Sequence, residues 1–342
     1  MLSTQRGSPL TRRMTMIAPA AIAMTALILS ACGGSSAAAK VTNPKIAFLT
    51  KHLDNPWFVT ETGGAKKQAT KLGVKLTVQD LQFDANLALT AVDTVIGAGT
   101  KGIIIVVPDQ KIGPSVITKA QAAKIPIMAV DDTIKDANGN PAPFVGFDAP
   151  KLGDQVGSLV ADLYTKAGWA SDSSKVVRAA SIEQQTLTVC QQRTDASTAA
   201  FVKKLPNFGA SNVMHIAYDG TLNGSLNVMS TVITAHPNVT NWLFWSCNDD
   251  GVLGAIRALE NRQVPATRAI GVGLGGNLTC GEFQKAQVTS FAATAYVDSA
   301  SEGITALQEM YDAIVNGKSI PTSTLVPPTM VTRDNYKQVM TC

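Results

Sequence analysis

The sequence predicts an α/β fold of two lobes, each a parallel sheet flanked by helices. Two observations predict it. Short apolar, β-branched runs alternate with longer amphipathic runs at a regular interval, which is the pattern of βαβ units in a sheet covered on both faces. The same alternation then restarts after residue 150 with a block of similar size. A chain of this length has enough surface to bury two cores.

Residues 1–31 read as an export leader rather than as part of that fold. Arg6, Arg12 and Arg13 give a basic start with no acidic residue, and 16–29 is an unbroken apolar or small stretch, too short for a permanent membrane span. It runs into Leu29-Ser30-Ala31-Cys32, the pattern of a bacterial lipobox, which predicts cleavage before Cys32 and lipidation of that cysteine. The alternative is an ordinary signal peptide followed by an incidental cysteine. "GGSSAAAK" at 33–40 reads as a flexible tether, so 32–43 is expected to lift a globular body off a membrane. The formal net charge of the whole chain is +4, and three of those positive charges sit in the leader, leaving +1 on the mature part. That balance gives no reason to expect a nucleic acid partner.

The first block places strands at 45–50, 74–80, 102–107 and 125–130. Between them, helix 86–99 sets Leu87, Ala91, Val92, Val95 and Ile96 on one face at 3.6-residue spacing. The second block begins with helix 151–168 and strand 175–181, then a helix from about 191 and strand 212–217. Helix 224–235, strand 241–246, helix 250–260 and strands 269–274 and 290–296 follow. The joint falls near 148–151. A last amphipathic helix at about 299–316 and the Pro-rich "IPTSTLVPPTMV" are expected to return to the first lobe. The expected lobes are therefore 44–148 with about 297–326, and 149–296 with about 327–342.

Open parallel sheets bind ligands beyond the carboxyl ends of their strands. Strand 45–50 ends in Lys51 and leads to Asn55, Trp57 and Phe58, and strand 125–130 ends in Asp131-Asp132. In the second block strand 175–181 leads to Arg193, strand 241–246 to Cys247 and Asn248, and strand 269–274 to Gly275 and Asn277. Cations, carboxylates, amides and aromatics at one edge suit an uncharged polyhydroxylated ligand. Each hydroxyl both donates and accepts, and an aromatic face covers the C–H side of a sugar. A phosphate would call for a Gly-rich loop or clustered cations, and "GVGLGG" at 271–276 lacks the dinucleotide spacing.

Each residue also has a plainer role. Trp57-Phe58 would serve as the apolar start of a helix, Asp131-Asp132 as an Asx turn, Asn248 or Asp249 as a helix cap, and Arg193 as a solvated helix residue. His52, His215 and His236 follow no metal spacing. Cys190, Cys247, Cys280 and Cys342 form no C-x-x-C pair; outside the cytoplasm they allow three complete pairings, among which spacing does not choose. No G-x-S-x-G elbow, H-E-x-x-H or P-loop lysine motif occurs. Adjacent carboxylates on one turn are poorly placed to flank a glycosidic bond from two sides.

"FLTKHLDNPWF", "KGIIIVVPDQKIG", "MAVDD", "AHPNVTNWL", "NDDGVLGAIRALE" and "VTRDNYK" together resemble the type I periplasmic sugar-binding proteins of ABC transporters, most closely the arabinose-binding members, from about Lys45 to about Lys337. The resemblance implies two Rossmann-like lobes joined by three hinge crossovers that close on one sugar. It implies that Lys51 bonds the sugar, that Trp57 stacks with Phe58 beside it, and that Asp132 binds the anomeric region next to Asp131. Arg193 falls at the family's arginine to the ring oxygen, Asn248 at its first asparagine, and Phe147 and Cys247 at two apolar methionines. Asn55 replaces a sugar-binding glutamate and Gly275 a second asparagine, with Asn277 close enough to substitute.

The expectation is a monomeric, lipid-anchored receptor without cofactor or metal, presenting a monosaccharide to permease subunits. A sensory co-receptor and an enzyme acting on the sugar are the rivals. A repressor of similar fold is disfavoured by the export leader and the lack of a helix-turn-helix.

Overall fold

The computed structural model describes residues 42–342; the leader, Cys32 and all but the end of the tether lie outside the described residues. The first run of elements is β1 (Lys45–Thr50), α1 (Pro56–Leu72), β2 (Lys75–Asp80), α2 (Ala85–Gly97), β3 (Gly102–Ile105), α3 (Gly113–Ala122), β4 (Ile127–Val130) and β5 (Phe144–Gly146). Next come α4 (Ala149–Lys166), β6 (Val177–Glu183), α5 (Thr188–Lys204), β7 (Val213–Ala217), α6 (Leu222–Ala235), β8 (Asn241–Ser246) and α7 (Asp249–Glu260). The remainder is β9 (Ala269–Gly275), α8 (Thr279–Phe283), β10 (Phe291–Tyr296), α9 (Ser299–Asn316), β11 (Ser323–Leu325), β12 (Thr329–Thr332) and α10 (Tyr336–Val339).

Two six-stranded sheets form, in the orders β11-β5-β4-β3-β1-β2 and β12-β10-β9-β8-β6-β7. The first is wholly parallel, and in the second only β12 runs antiparallel, against β10. Every residue of β3 and β8 is buried, because helices cover both faces of each sheet. That is why these strands read as continuous apolar runs. The edge strands β2 and β7 are only half-buried.

Helix α4 packs on α5 and on β8, β9 and β10, whereas α9 packs on α1 and on β3, β4 and β5. The chain therefore crosses between the sheets three times: from β5 into α4, from β10 into α9, and from β11 to β12. Both helix pairs approach closely where glycine omits a side chain. A Cβ on Gly157 of α4 would stand 1.9 Å from the Ser197 carbonyl oxygen of α5, and one on Gly303 of α9 equally close to that of Glu61 in α1.

Of the three possible cysteine pairings the molecule adopts Cys190–Cys247 and Cys280–Cys342. Strand β6 runs two residues past its expected end, and α5 starts three residues before its expected start. No helix among the described residues is long and apolar enough to cross a membrane.

Candidate ligand-binding site

The site is assembled where strands stop. After β1, Asn55 caps α1 by accepting a hydrogen bond from the Trp57 backbone N–H at 2.9 Å, with Pro56 at the first helical position. A cap of this kind fixes the first turn, and with it the Trp57 and Phe58 rings. The Lys51 ammonium is buried, bonds the Asp132 carboxylate, lies 4.0 Å from that of Asp131 and sits 5.5 Å from the Phe58 ring centre.

Successive residues of a continuing strand would point to opposite faces. Asp131 instead adopts a left-handed φ of 61°, and the Asp132 N–H donates back to the Val130 carbonyl at 2.6 Å. This tight turn gives both carboxylates to one cavity, at a conformation that non-glycine residues adopt with some strain.

From the second sheet, Arg193 projects from α5. Its guanidinium donates to the Cys247 carbonyl at 2.9 Å, lies 4.4 Å from the Phe147 ring centre and comes within 3.6 Å of the Asp131 carboxylate. Asp131 belongs to the first sheet, so this ion pair spans the two lobes. The approach of α5 depends on Gly153 of α4, where a Cβ would stand 2.1 Å from the Arg193 carbonyl oxygen. Asn248 caps α7 through Gly251 N–H, accepts from the Tyr218 hydroxyl, and donates to the Gly220 carbonyl. Its second amide hydrogen is left for the cavity. Asn277 donates to Asn55 at 3.4 Å, a second bond between lobes. Gly275, at φ 103°, lies so near Trp57 that a Cβ would stand 3.4 Å from the indole.

All twelve expected binding residues, Lys51, Asn55, Trp57, Phe58, Asp131, Asp132, Phe147, Arg193, Cys247, Asn248, Gly275 and Asn277, line this one cavity. The plainer roles of Trp57 and Asn248 hold at the same time, and Asn55 proves to be a cap as well: the helix ends that they form are what aim them. Other lining residues were not anticipated. Gln184 follows the true end of β6, and Leu187, Val189 and Cys190 join Cys247 in a small apolar wall completed by the disulfide. Gln184 is reached by the strand-end rule once the strand is extended to Glu183, whereas the wall depends on a pairing that spacing does not reveal. Phe83, Gly220 and Leu274 also line the cavity, and the Phe83 ring lies 4.9 Å from that of His52.

Three polar atoms of these residues are buried without a hydrogen-bond partner: Asp132 Oδ1, Trp57 Nε1 and Arg193 Nε. Burial, and then the charge of Asp132, push Asp131 up to about 6, against the lowering influence of Lys51 and Arg193. Behind Asp131 lie Glu61 of α1 and Glu302 of α9, both fully buried with no partner on either carboxyl oxygen. Burial raises both well above the ordinary range, with Asp131 adding repulsion to each. Among the described residues no group of three or more His, Cys, Asp or Glu side chains is placed to hold a metal ion.

Residues 46–319 match the model of the periplasmic binding protein domain. The chain is 31% identical to an ABC transporter L-arabinose-binding periplasmic protein of Azospirillum brasilense, over 92% of this chain and 94% of that one. It is 30% identical to the L-arabinose-binding periplasmic protein of Escherichia coli K12, over 92% and 95%. Among solved structures, a periplasmic solute-binding protein of an ABC transporter from Actinobacillus succinogenes with bound D-allose superposes with a TM-score of 0.72 at 22% identity, covering 86% of this chain and 99% of that one. With two parallel-dominated sheets, three crossovers and a matching sequence over nearly all the described residues, the chain belongs to the periplasmic binding protein domain family, among its type I sugar-binding proteins.

Proposed function

We propose that the cavity captures one monosaccharide, arabinose or a related pentose or hexose, and that the chain delivers it to an ABC permease. Membership in a solute-binding family makes it a binder rather than an enzyme. The observation that carries the reading is the supply of donors and acceptors to one cavity by both lobes. Asp131 and Asp132 accept from sugar hydroxyls, while Lys51, Arg193, Asn248 and Asn277 donate to them. The bonds to the charged groups contribute about 1.5–3 kcal/mol each, and those from the two amides about 0.5–1.5 kcal/mol. Trp57 and Phe58 cover a C–H face, and Phe147 and Cys247 close the apolar side.

Relatives are named for L-arabinose, and a structural neighbour holds D-allose. Asn55 and Gly275 depart from the arabinose-binding pattern, so the hydroxyls read at those two points differ. Lobes 44–148 with 297–326, and 149–296 with 327–342, close around the ligand because it contacts both only when they are together. The receptor is a monomer, exported and held by a lipid on Cys32 within reach of its permease.

Intrinsic tryptophan fluorescence and thermal shift against a panel of aldoses and ketoses test the reading. One sugar is expected to change both signals, and Asp132→Ala and Arg193→Ala to abolish the change in folded protein. Silence across the panel at millimolar sugar rejects it.

A further inference from the structure

We infer that Gln110 is a positioning residue for the site, its amide bridging the two lobes at the rim and capping in trans the helix that carries Arg193. The inference rests on the sugar-capture reading for its affinity effects, but the bridge itself is a property of the sugar-free molecule.

Helix α5 begins abruptly. Its cap residue is Leu187, which has no side chain able to accept from the first-turn N–H groups. Such groups need an acceptor when a helix starts. The Thr188 N–H finds one in the other lobe, donating to Gln110 Oε1 at 2.9 Å. Gln110 opens the short 3-10 turn Gln110–Ile112 between β3 and α3, a turn fixed by Asp109 accepting from the Lys111 N–H at 2.9 Å. The other end of the same amide is also used: Gln110 Nε2 donates to the Thr133 carbonyl at 2.8 Å. With both ends engaged, the amide has one orientation and one reach.

Its two partners flank the site. Thr133 directly follows Asp131-Asp132, and Thr188 lies two residues before Cys190 and five before Arg193. Cys190 is bonded to Cys247, so the start of α5 is fastened to the second sheet by the disulfide and to the first lobe by Gln110. Among the described residues the other side-chain links between lobes, Asp131–Arg193 and Asn277–Asn55, are made by residues that line the cavity. Those must rearrange when a sugar claims their hydrogen bonds. Gln110 does not line the cavity and keeps its bond with or without ligand in the closed form. It therefore favours closure without reading any hydroxyl.

The test uses Gln110→Ala and Thr188→Pro. Proline at the first helical position is well tolerated, and Leu187 already has the extended backbone (φ −112°, ψ 118°) that a following proline requires. Thr188→Pro thus removes the donor while leaving the helix's own bonds intact. Each variant is expected to weaken sugar affinity about 5-fold, the loss of one cap, with the rank order of sugars unchanged. The double variant is expected to bind no more weakly than Gln110→Ala alone, since the bond to Thr188 is already gone there. Small-angle scattering of the sugar-free protein is expected to show a larger radius of gyration in both variants, at unchanged helix content. Wild-type affinity and wild-type dimensions in Thr188→Pro, or additive losses in the double variant, overturn the bridge. If no sugar binds the wild type, the scattering comparison still decides the bridge, and the failure falls on the sugar reading alone.

Discussion

Asp131 answers two opposing demands. In the proposed role it is ionised, to accept strongly from a sugar hydroxyl and to pair with Arg193, yet burial beside Asp132 raises it to about 6. Between pH 7.5 and 5 it takes up a proton, and the charge-assisted part of its bonding is lost. Sugar affinity is expected to fall across that interval in calorimetric titrations, and Asp131→Asn is expected to bind weakly with little dependence on pH. Equal affinity of the wild type at both ends of the range would remove Asp131 from the contacts. Arg193 makes a different demand, for shape. Its guanidinium bonds the Cys247 carbonyl and covers the Phe147 ring, which a point charge does not reproduce. Arg193→Lys is expected to cost about 10-fold or more in affinity, the size of one charge-assisted hydrogen bond, and to lower the thermal midpoint as well, since the Cys247 carbonyl and the Phe147 ring lose their partner.

Elements explain both what the sequence could reveal and what it could not. The central strands and long helices were legible because burial on two faces, or on one stripe, forces a local pattern. The cavity residues were legible because a parallel sheet presents its strand ends together. Strands β5, β11 and β12 were not expected: each is three or four residues long, and β11 and β12 lie in a Pro-rich segment and exist by long-range pairing with β5 and β10. The start of α5 has no local signal, because its cap sits 78 residues away in sequence. The disulfide wall was hidden for the same reason, since sulfur pairing is a property of the fold. Cys190–Cys247 closes a loop of 57 residues, and replacing both cysteines by serine is expected to lower unfolding free energy by about 2–4 kcal/mol in urea titrations. A loss well below that range would mean that the bond serves the cavity wall rather than the fold. Gly303→Ala belongs to the same scale: its Cβ has no room against the Glu61 backbone, and separating α9 from α1 is expected to cost about 1–3 kcal/mol in the same titration.

The molecule as a whole carries buried carboxyls in numbers that its stability must reflect. Glu61, Glu302, Asp131, Asp249 and Asp250 are all raised, each chiefly by burial, with Asp249 brought to about 7 and Asp250 to about 6. An acid raised on folding binds its proton more tightly in the native state than in the unfolded chain. Its contribution is full below the unfolded value, 3.8 for aspartate, and is lost as pH rises through the folded value. The thermal midpoint of the sugar-free protein is therefore expected to fall from pH 5 to pH 7.5. Glu302→Gln, which keeps the shape of a neutral acid and cannot ionise, is expected to flatten that fall and to exceed wild-type stability at pH 7.5. Sugar binding as proposed runs the other way, because accepting from a hydroxyl favours ionised Asp131. The rise in midpoint on adding sugar is expected to be larger at pH 7.5 than at pH 5, so that ligand restores at neutral pH part of what ionisation removes. Melting curves at both pH values, with and without the sugar found in the panel, measure all four terms. A sugar-free midpoint that rises toward pH 7.5 would show that these carboxyls are not held protonated by the fold, and a sugar increment larger at pH 5 would show that ionised Asp131 does not favour the ligand.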